Sequence, residues 1–251
     1  GLLDKALDQL DWETLQKDVA RRQADGEAVG VGVAMFVEKS GLGPSDGARI
    51  MVDATGAVEV ITGGASVGQG FETVMAQICA DALGCDYQRV QVVHGRTDRI
   101  DYGIGAHASR ATVVTGNAVN LTALKVREKA LEVAAELLQT PADTLDITDG
   151  VIHAKDNPTG PSVTLGDVAA ALAPAAPTRG DRDPYLAAEE WFNIEHQTYP
   201  YGHHIAVVRV DRETGEVKIE KYFMAYDIGR AINPMMIEGQ LVGGLAQGIG
   251  G

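Results

Sequence analysis

The spacing of apolar and polar positions changes several times along the chain, and each change predicts an element. Residues 2–25 set Leu3, Leu7, Leu10, Leu15 and Val19 at helical spacing among charged residues. Asp11 can cap a second helix ahead of Trp12, so two short helices are expected. Residues 29–38 are a near-continuous apolar run dotted with glycine, the pattern of a strand covered on both faces. Residues 41–47 read as a loop. Runs at 50–52 and 57–61 flank the turn sequence Asp53-Ala-Thr-Gly56 and predict a hairpin. Beyond Ile61 the chain crosses glycines at 63, 64, 68 and 70. Phe71, Val74, Met75, Ile78, Cys79 and Ala82 then share one helical face. Glu72 falls in the first turn, where the macrodipole favours an acid, and Gly84 stands at the C-cap. The stretch is therefore a strand, a glycine loop and a helix. Gln69, flanked by glycines, is the large polar side chain at the tip of that loop.

A short strand at 90–94 leads to a second glycine- and alanine-rich loop, 101–112. It ends in Thr112, a hydroxyl residue suited to N-capping. A long helix follows to about Leu138, with Val114, Ala118, Leu121, Leu124, Leu131, Ala134 and Leu138 along one stripe. Pro141 closes it, and 145–153 reads as a hairpin on an Asp-Gly turn. Residues 169–182 predict a short helix and a linker, and 205–210 with 216–224 a further hairpin about 211–215. In the last segment Asn233 caps and Pro234 starts a helix. Glycines at 239, 243, 244 and 248 each cost about 1 kcal/mol there relative to alanine. Some other element or ligand is expected close to that backbone. The chain stops within this helix, which predicts part of a longer polypeptide. The expected fold class is α+β, in two subdomains of mostly antiparallel sheet with helices on one side, because hairpins alternate with isolated helices instead of regular βαβ units. The division is placed at 1–180 and 181–251.

Composition narrows the function. The 251 residues carry 21 Lys plus Arg against 35 Asp plus Glu, a net charge of -14, so no basic surplus exists to bind a nucleic-acid backbone. No run of 18 apolar residues occurs, and the first residues lack signal-peptide character. A cytoplasmic protein without membrane contact is expected. Two cysteines, Cys79 and Cys85, are too few for an iron–sulfur cluster. The chemistry rests instead on the glycine loops, because free N–H groups at a helix start bind anions and glycine admits a ligand to the backbone.

Three separated motifs carry a resemblance: Gly68-Gln69-Gly70-Phe71-Glu72-Thr73 with Gln77-Ile78; Ala108-Ser109-Arg110-Ala111-Thr112 with Gly116-Asn-Ala118; and Asp227-Ile-Gly229 with Asn233-Pro234 and Glu238-Gly-Gln240 through Gln247-Gly-Ile-Gly250. Together they resemble the molybdenum-binding large subunit of the xanthine dehydrogenase, aldehyde oxidase and carbon monoxide dehydrogenase family of molybdenum hydroxylases. The resemblance implies a molybdopterin cytosine dinucleotide cofactor held by Gly68, Gln69, Gly70, Phe71, Ala108, Ser109, Arg110, Ala111, Thr112 and Gln240. Gln69 would contact the metal's own ligands, residues 108–112 the pterin and its phosphates, and Gln240 the far side. Arg110 would add a charge-assisted contact. It also implies that no residue here ligates metal directly and that the general-base glutamate lies downstream, since Glu238 matches another motif position. Iron–sulfur clusters and FAD are expected on partner subunits or domains, beside the remaining large-subunit domains. The substrate would be an aldehyde, an N-heterocycle or a similar small molecule oxidised with oxygen from water, and the chain alone would be inactive. The alternative is a non-catalytic interface domain or subunit of a larger oxidoreductase complex.

Other candidates have plainer readings. His107, His203 and His204 are expected to be hydrogen-bonded surface groups. Glu189 and Glu190, adjacent on a strand, face opposite ways. Trp12 and Trp191 are expected to anchor core or interface.

Overall fold

The computed structural model describes residues 1–251, which form two compact units. One comprises 1–40 and 198–231, the other 41–197 and 232–251. The chain thus passes between units at three places, where the sequence predicted a single division at 180. Strand pairing explains this, because the strand at 29–37 finds its partner some 170 residues later, at 201–210.

In the first unit α1 (Leu2–Leu10) and α2 (Trp12–Ala24) lie on an antiparallel sheet ordered β1-β9-β10. Its strands are β1 (Val29–Val37), β9 (Tyr201–Val210) and β10 (Val217–Asp227). Asp11 accepts from the Thr14 N–H as the expected cap of α2. Leu15, Val19, Val29 and Val207 form the core, with Leu10, Trp12 and Val31 against it. Burial of both faces of β1, expected from its apolar run, does not occur: Val33, Met35 and Val37 are 45%, 66% and 70% exposed. Only the first part of the strand packs in the core. The reading of His203 as a surface group is also corrected, since it is buried. His204 is hydrogen-bonded as expected, between the Tyr222 and Tyr226 hydroxyls at 2.9 and 2.7 Å.

The second unit contains two sheets. One is ordered β4-β3-β2-β8, from β2 (Ser45–Val52), β3 (Val58–Thr62), β4 (Val90–Val93) and β8 (Leu186–Asn193). The hairpin at 50–61 forms as expected, with Ile50 opposite Val60 and both fully buried, each worth roughly 1.5–3 kcal/mol. The other sheet is β5 (Leu145–Thr148), β6 (Val151–Ala154) and β7 (Asn157–Thr164). Asp149 and Gly150, at φ 49° and 78°, make the predicted turn of its first hairpin. The fold class is α+β, with six helices and three mostly antiparallel sheets. The exception is the pair β3 and β4, which run parallel on either side of α3 (Phe71–Leu83) as one βαβ unit.

Two details of this unit differ from expectation. Residues 45–47 are strand and not loop, and Asp46 is fully buried within it. In α4 (Gly116–Leu138), Leu121 and Leu124 are 40% and 45% exposed, while Ala118, Val119, Thr122, Ala123, Val126, Ala130 and Ala134 face the core. Small residues let this helix lie close on α3, β2 and β8, so alanines occupy the face that the leucine stripe was expected to fill. The unit is completed by α5 (Leu165–Ala171) and α6 (Pro234–Gly250).

Candidate cofactor site at two glycine loops

The first loop leaves the C-terminal end of β3, the place where parallel strand pairs present ligand sites. Gly63 and Gly64 are held tightly. A Cβ on Gly63 would stand 2.5 Å from the Tyr102 carbonyl oxygen and 2.7 Å from the Gly103 Cα, and one on Gly64 would strike the Phe71 ring. Further out the loop opens: Gly68, at φ 98°, has nothing within 4 Å of a Cβ, and Val67 is 75% exposed. Gly70, left-handed at φ 77°, precedes α3, and no side chain caps the helix. Phe71 and Thr73 in its first turn therefore keep N–H groups that no capping side chain accepts, whereas the Glu72 N–H turns to its own carboxylate.

Gln69 does not stand free at the tip. Its Oε1 accepts from the Val67 N–H at 2.6 Å and its Nε2 donates to the Ala65 carbonyl at 3.0 Å. The amide keeps one lone pair and one N–H for a ligand, with its orientation set by the loop. Glu72 braces the same loop, accepting from the Ser66 hydroxyl at 2.9 Å and pairing with His94 at 2.8 Å. Its own backbone N–H, then His94, hold the Glu72 carboxyl below the usual glutamate range.

The second loop meets the first backbone to backbone. The Gly105 N–H points to the Gly63 carbonyl at 3.4 Å, and a Cβ on Gly103 would stand 2.5 Å from that same oxygen. The loop ends in two consecutive left-handed residues, Ala108 at φ 47° and Ser109 at φ 51°. For residues with a Cβ this costs roughly 1–2 kcal/mol each, strain of the kind stored at functional sites. A five-residue π turn, Ala111–Thr115, follows and runs into α4. Such wide turns recur at functional sites. Thr112 does not cap this helix, whose N-cap is Arg110, without a side-chain bond. Ser109 and Thr112 are exposed and Ala111 half-buried.

Arg110 is turned the other way. It is fully buried, and its guanidinium donates to the carbonyls of Leu42 (3.1 Å), Ser45 (2.8 Å) and Gly105 (3.2 Å) and to Asp46 Oδ2 (3.1 Å). The charge-assisted ligand contact expected of its side chain is thus not available, because every guanidinium nitrogen already has a partner inside the protein. Thr115 donates to the same Asp46 oxygen at 2.5 Å. Sequence reasoning missed Asp46 and Thr115. A signal was present: 46, 48, 50 and 52 are the inward positions of a strand of period two, and an aspartate among them needs a buried cation.

The third motif reaches the same place. Asn233 caps α6 through the Met236 N–H and donates from Nδ2 to Gln77 of α3 at 3.0 Å, while Met236 lies against Gly70. Gln240 is exposed, four residues on and so on the Met236 face. The glycines of α6 have no neighbour of the kind expected from their cost, since Gly239, Gly243, Gly244 and Gly248 meet nothing within 4 Å. No helix of the chain is long and apolar enough to cross a membrane.

The profile of one protein family, the molybdopterin cofactor-binding domain, matches residues 5–251. The chain belongs to this family. It is 37% identical over 248 residues to the 6-hydroxypseudooxynicotine dehydrogenase complex subunit gamma of Paenarthrobacter nicotinovorans, covering 99% of this chain and 31% of that protein. It is 34% identical over 260 residues to the carbon monoxide dehydrogenase large chain of Hydrogenophaga pseudoflava, covering 98% of this chain and 32% of that one. The crystal structure of quinoline 2-oxidoreductase from Pseudomonas putida 86 superposes with a TM-score of 0.89 at 33% identity, over 98% of this chain and 33% of that one. The chain therefore spans about a third of the length of these relatives. The resemblance carried by three motifs extends across the whole chain, and its relatives are oxidoreductases.

The residues present fit a molybdopterin cofactor. Two uncapped helix starts and an open glycine offer backbone donors to phosphate, and the exposed Ser109 and Thr112 hydroxyls add side-chain donors. No group of three or more His, Cys, Asp or Glu side chains is placed to hold a metal ion.

Proposed function

We propose that this chain is the cofactor-cradling part of a molybdenum hydroxylase acting on an aldehyde, an N-heterocycle or a similar small molecule. The observation that carries this is the backbone contact of Gly63 with Gly103, which joins two glycine loops that each end at an uncapped helix start. When bound, the molybdenum cofactor supplies the oxidation of the substrate carbon with oxygen from water. The chain's own residues bind and orient. Backbone N–H groups at Phe71, Thr73 and Ala111–Val113 hold phosphate and pterin oxygens, needing no exposed arginine in an acidic chain. Gln69, fixed by Val67 and Ala65, offers its remaining donor and acceptor towards the ligands of the metal. Gln240, on the Met236 face of α6, closes the far side.

The cytosine dinucleotide form is the expected one. Electrons are expected to leave through iron–sulfur clusters and FAD on partner subunits or domains, because the two cysteines of this chain are too few to hold a cluster. The general base belongs to the remaining large-subunit domains, and a cytoplasmic location fits this assembly. A second reading, an interface element without catalytic part, draws on α6, none of whose residues is buried and where Met235, Val242 and Ile249 are 69%, 53% and 54% exposed. One experiment separates the two. The intact protein, purified from a host that makes the cofactor, is assayed for molybdenum, for pterin fluorescence and for the nucleotide released by acid. Near-stoichiometric molybdenum with CMP is expected. An intact, folded protein without pterin would leave only the interface reading.

A further inference from the structure

The strained pair Ala108 and Ser109 needs something to hold it, and the fold places one device beside it. Arg110 follows directly, wholly buried, with four hydrogen bonds that tie it to the head of β2 at Leu42, Ser45 and Asp46 and back to its own loop at Gly105. Asp46, equally buried, answers with three acceptor bonds: from Arg110, from the Thr115 hydroxyl at 2.5 Å and, through Oδ1, from the Gly47 N–H at 3.0 Å. That same Oδ1 stands where a Cβ on Gly63 would come within 2.8 Å, so the carboxylate also abuts the first loop. The Ala108 carbonyl accepts from the Gly41 N–H at 3.1 Å, a second tie to the same segment. Both sides of the π turn are thereby fastened to one buried charge, Arg110 before it and Thr115 at its end. A buried pair this well satisfied is a rigid fixture, since losing either partner strands a charge away from water.

We propose that Asp46 and Arg110, with Thr115, are a positioning pair: they keep Ala108 and Ser109 left-handed and so aim the uncapped turn Ala111–Val113 and the Ser109 hydroxyl at the cofactor, which Arg110 itself does not touch. This rests on the cofactor reading above. Lysine at 110 keeps the charge but cannot fork to three carbonyls and a carboxylate. Glycine at 108 adopts φ > 0 without restraint, so it should reduce the need for the pair.

The test uses the intact protein from a cofactor-producing host, with two readouts. In Arg110→Lys, amide exchange at 105–113 should rise at least tenfold while that of 119–134 in α4 stays within twofold, and pterin and molybdenum content should fall at least threefold. Adding Ala108→Gly should bring content back to within twofold of wild type, a recovery that a general loss of stability would not show. If Arg110→Lys does not fold, Thr115→Val removes one bond to Asp46 at the same shape and should raise exchange at 105–113 about threefold. Unchanged exchange there, equal acceleration throughout α4, no recovery with Ala108→Gly, or variants as fully loaded as wild type would each overturn the pair. A wild-type protein without pterin would overturn the cofactor reading as well.

Discussion

Gly63→Ala is the most direct test of the two-loop site. A Cβ there would stand 2.5 Å from the Tyr102 carbonyl oxygen, 2.7 Å from the Gly103 Cα and 2.8 Å from Asp46 Oδ1. Ordinary contact begins near 3.4 Å, so the first two are short by about 0.9 and 0.7 Å. Two of the three obstacles are backbone, and the third belongs to a carboxylate held by three hydrogen bonds. No flexible side chain can swing away, so the loops must part. Overpacking of this kind costs about 1–3 kcal/mol, which for a domain of this size lowers the melting temperature by roughly 2–4 °C per kcal/mol. Since the displaced backbone is the proposed cradle, cofactor content should fall further than stability, at least several-fold. The assay is a thermal melt of the intact protein together with pterin fluorescence. Gly32→Ala is the control: it lies in β1 with nothing within 4 Å of its Cβ and should melt with wild type or slightly above it. A Gly63→Ala protein that melts within about 1 °C of wild type and keeps its pterin would show that the loops are not in backbone contact, and the site as described would fall.

Gln69→Ala removes two hydrogen bonds at a partly exposed loop, net about 0.5–1.5 kcal/mol each at most, so the melt should fall by no more than a few degrees while turnover of the intact enzyme drops at least tenfold; a turnover loss no larger than the loss of folded protein would make Gln69 merely structural. The chain expressed alone should fold yet hold far less than one molybdenum per molecule and oxidise neither hypoxanthine nor benzaldehyde, because each 1.4 kcal/mol of lost contact weakens binding tenfold. Metal analysis and dye reduction against a Gln69→Ala control decide that. Its bare α6 should also drive self-association, visible as concentration-dependent sedimentation and lost on Val242→Glu. Glu72 supplies a pH dependence: its folded carboxyl is held below the value near 4.3 of an unfolded glutamate, so its contribution is present above that value and is lost as pH falls through the lowered one. Glu72→Gln should therefore narrow the difference in unfolding free energy between pH 7 and pH 3.5, read from denaturant melts, by under about 1 kcal/mol because the group is partly solvated. A widened difference would reverse the sign argued here.

Local chemistry determined much of this protein from sequence alone. The hairpins at Asp53–Gly56 and Asp149–Gly150, the caps Asp11 and Asn233, and the glycine loop that opens α3 were legible because each depends on residues a few positions apart, whose backbone preferences act before any packing. The three motifs were legible for a similar reason, since their glycines and short polar residues form dense local patterns in the chain. What remained hidden depends on partners distant along the chain. Period alone could not say that alanines of α4 would face the sheet, because closeness of approach is set by the elements packed on it. Nor could it show that half of β1 would lie bare, or that β1 would pair with β9, so that one unit is built from two separated stretches of chain. Arg110 is the sharpest case. In sequence it is a cation in a ligand-binding loop, whereas the fold brings Asp46 from 64 residues away and turns that charge inward. A charge seeks its best-satisfied partner, and only the tertiary structure decides whether that partner is the ligand or the protein.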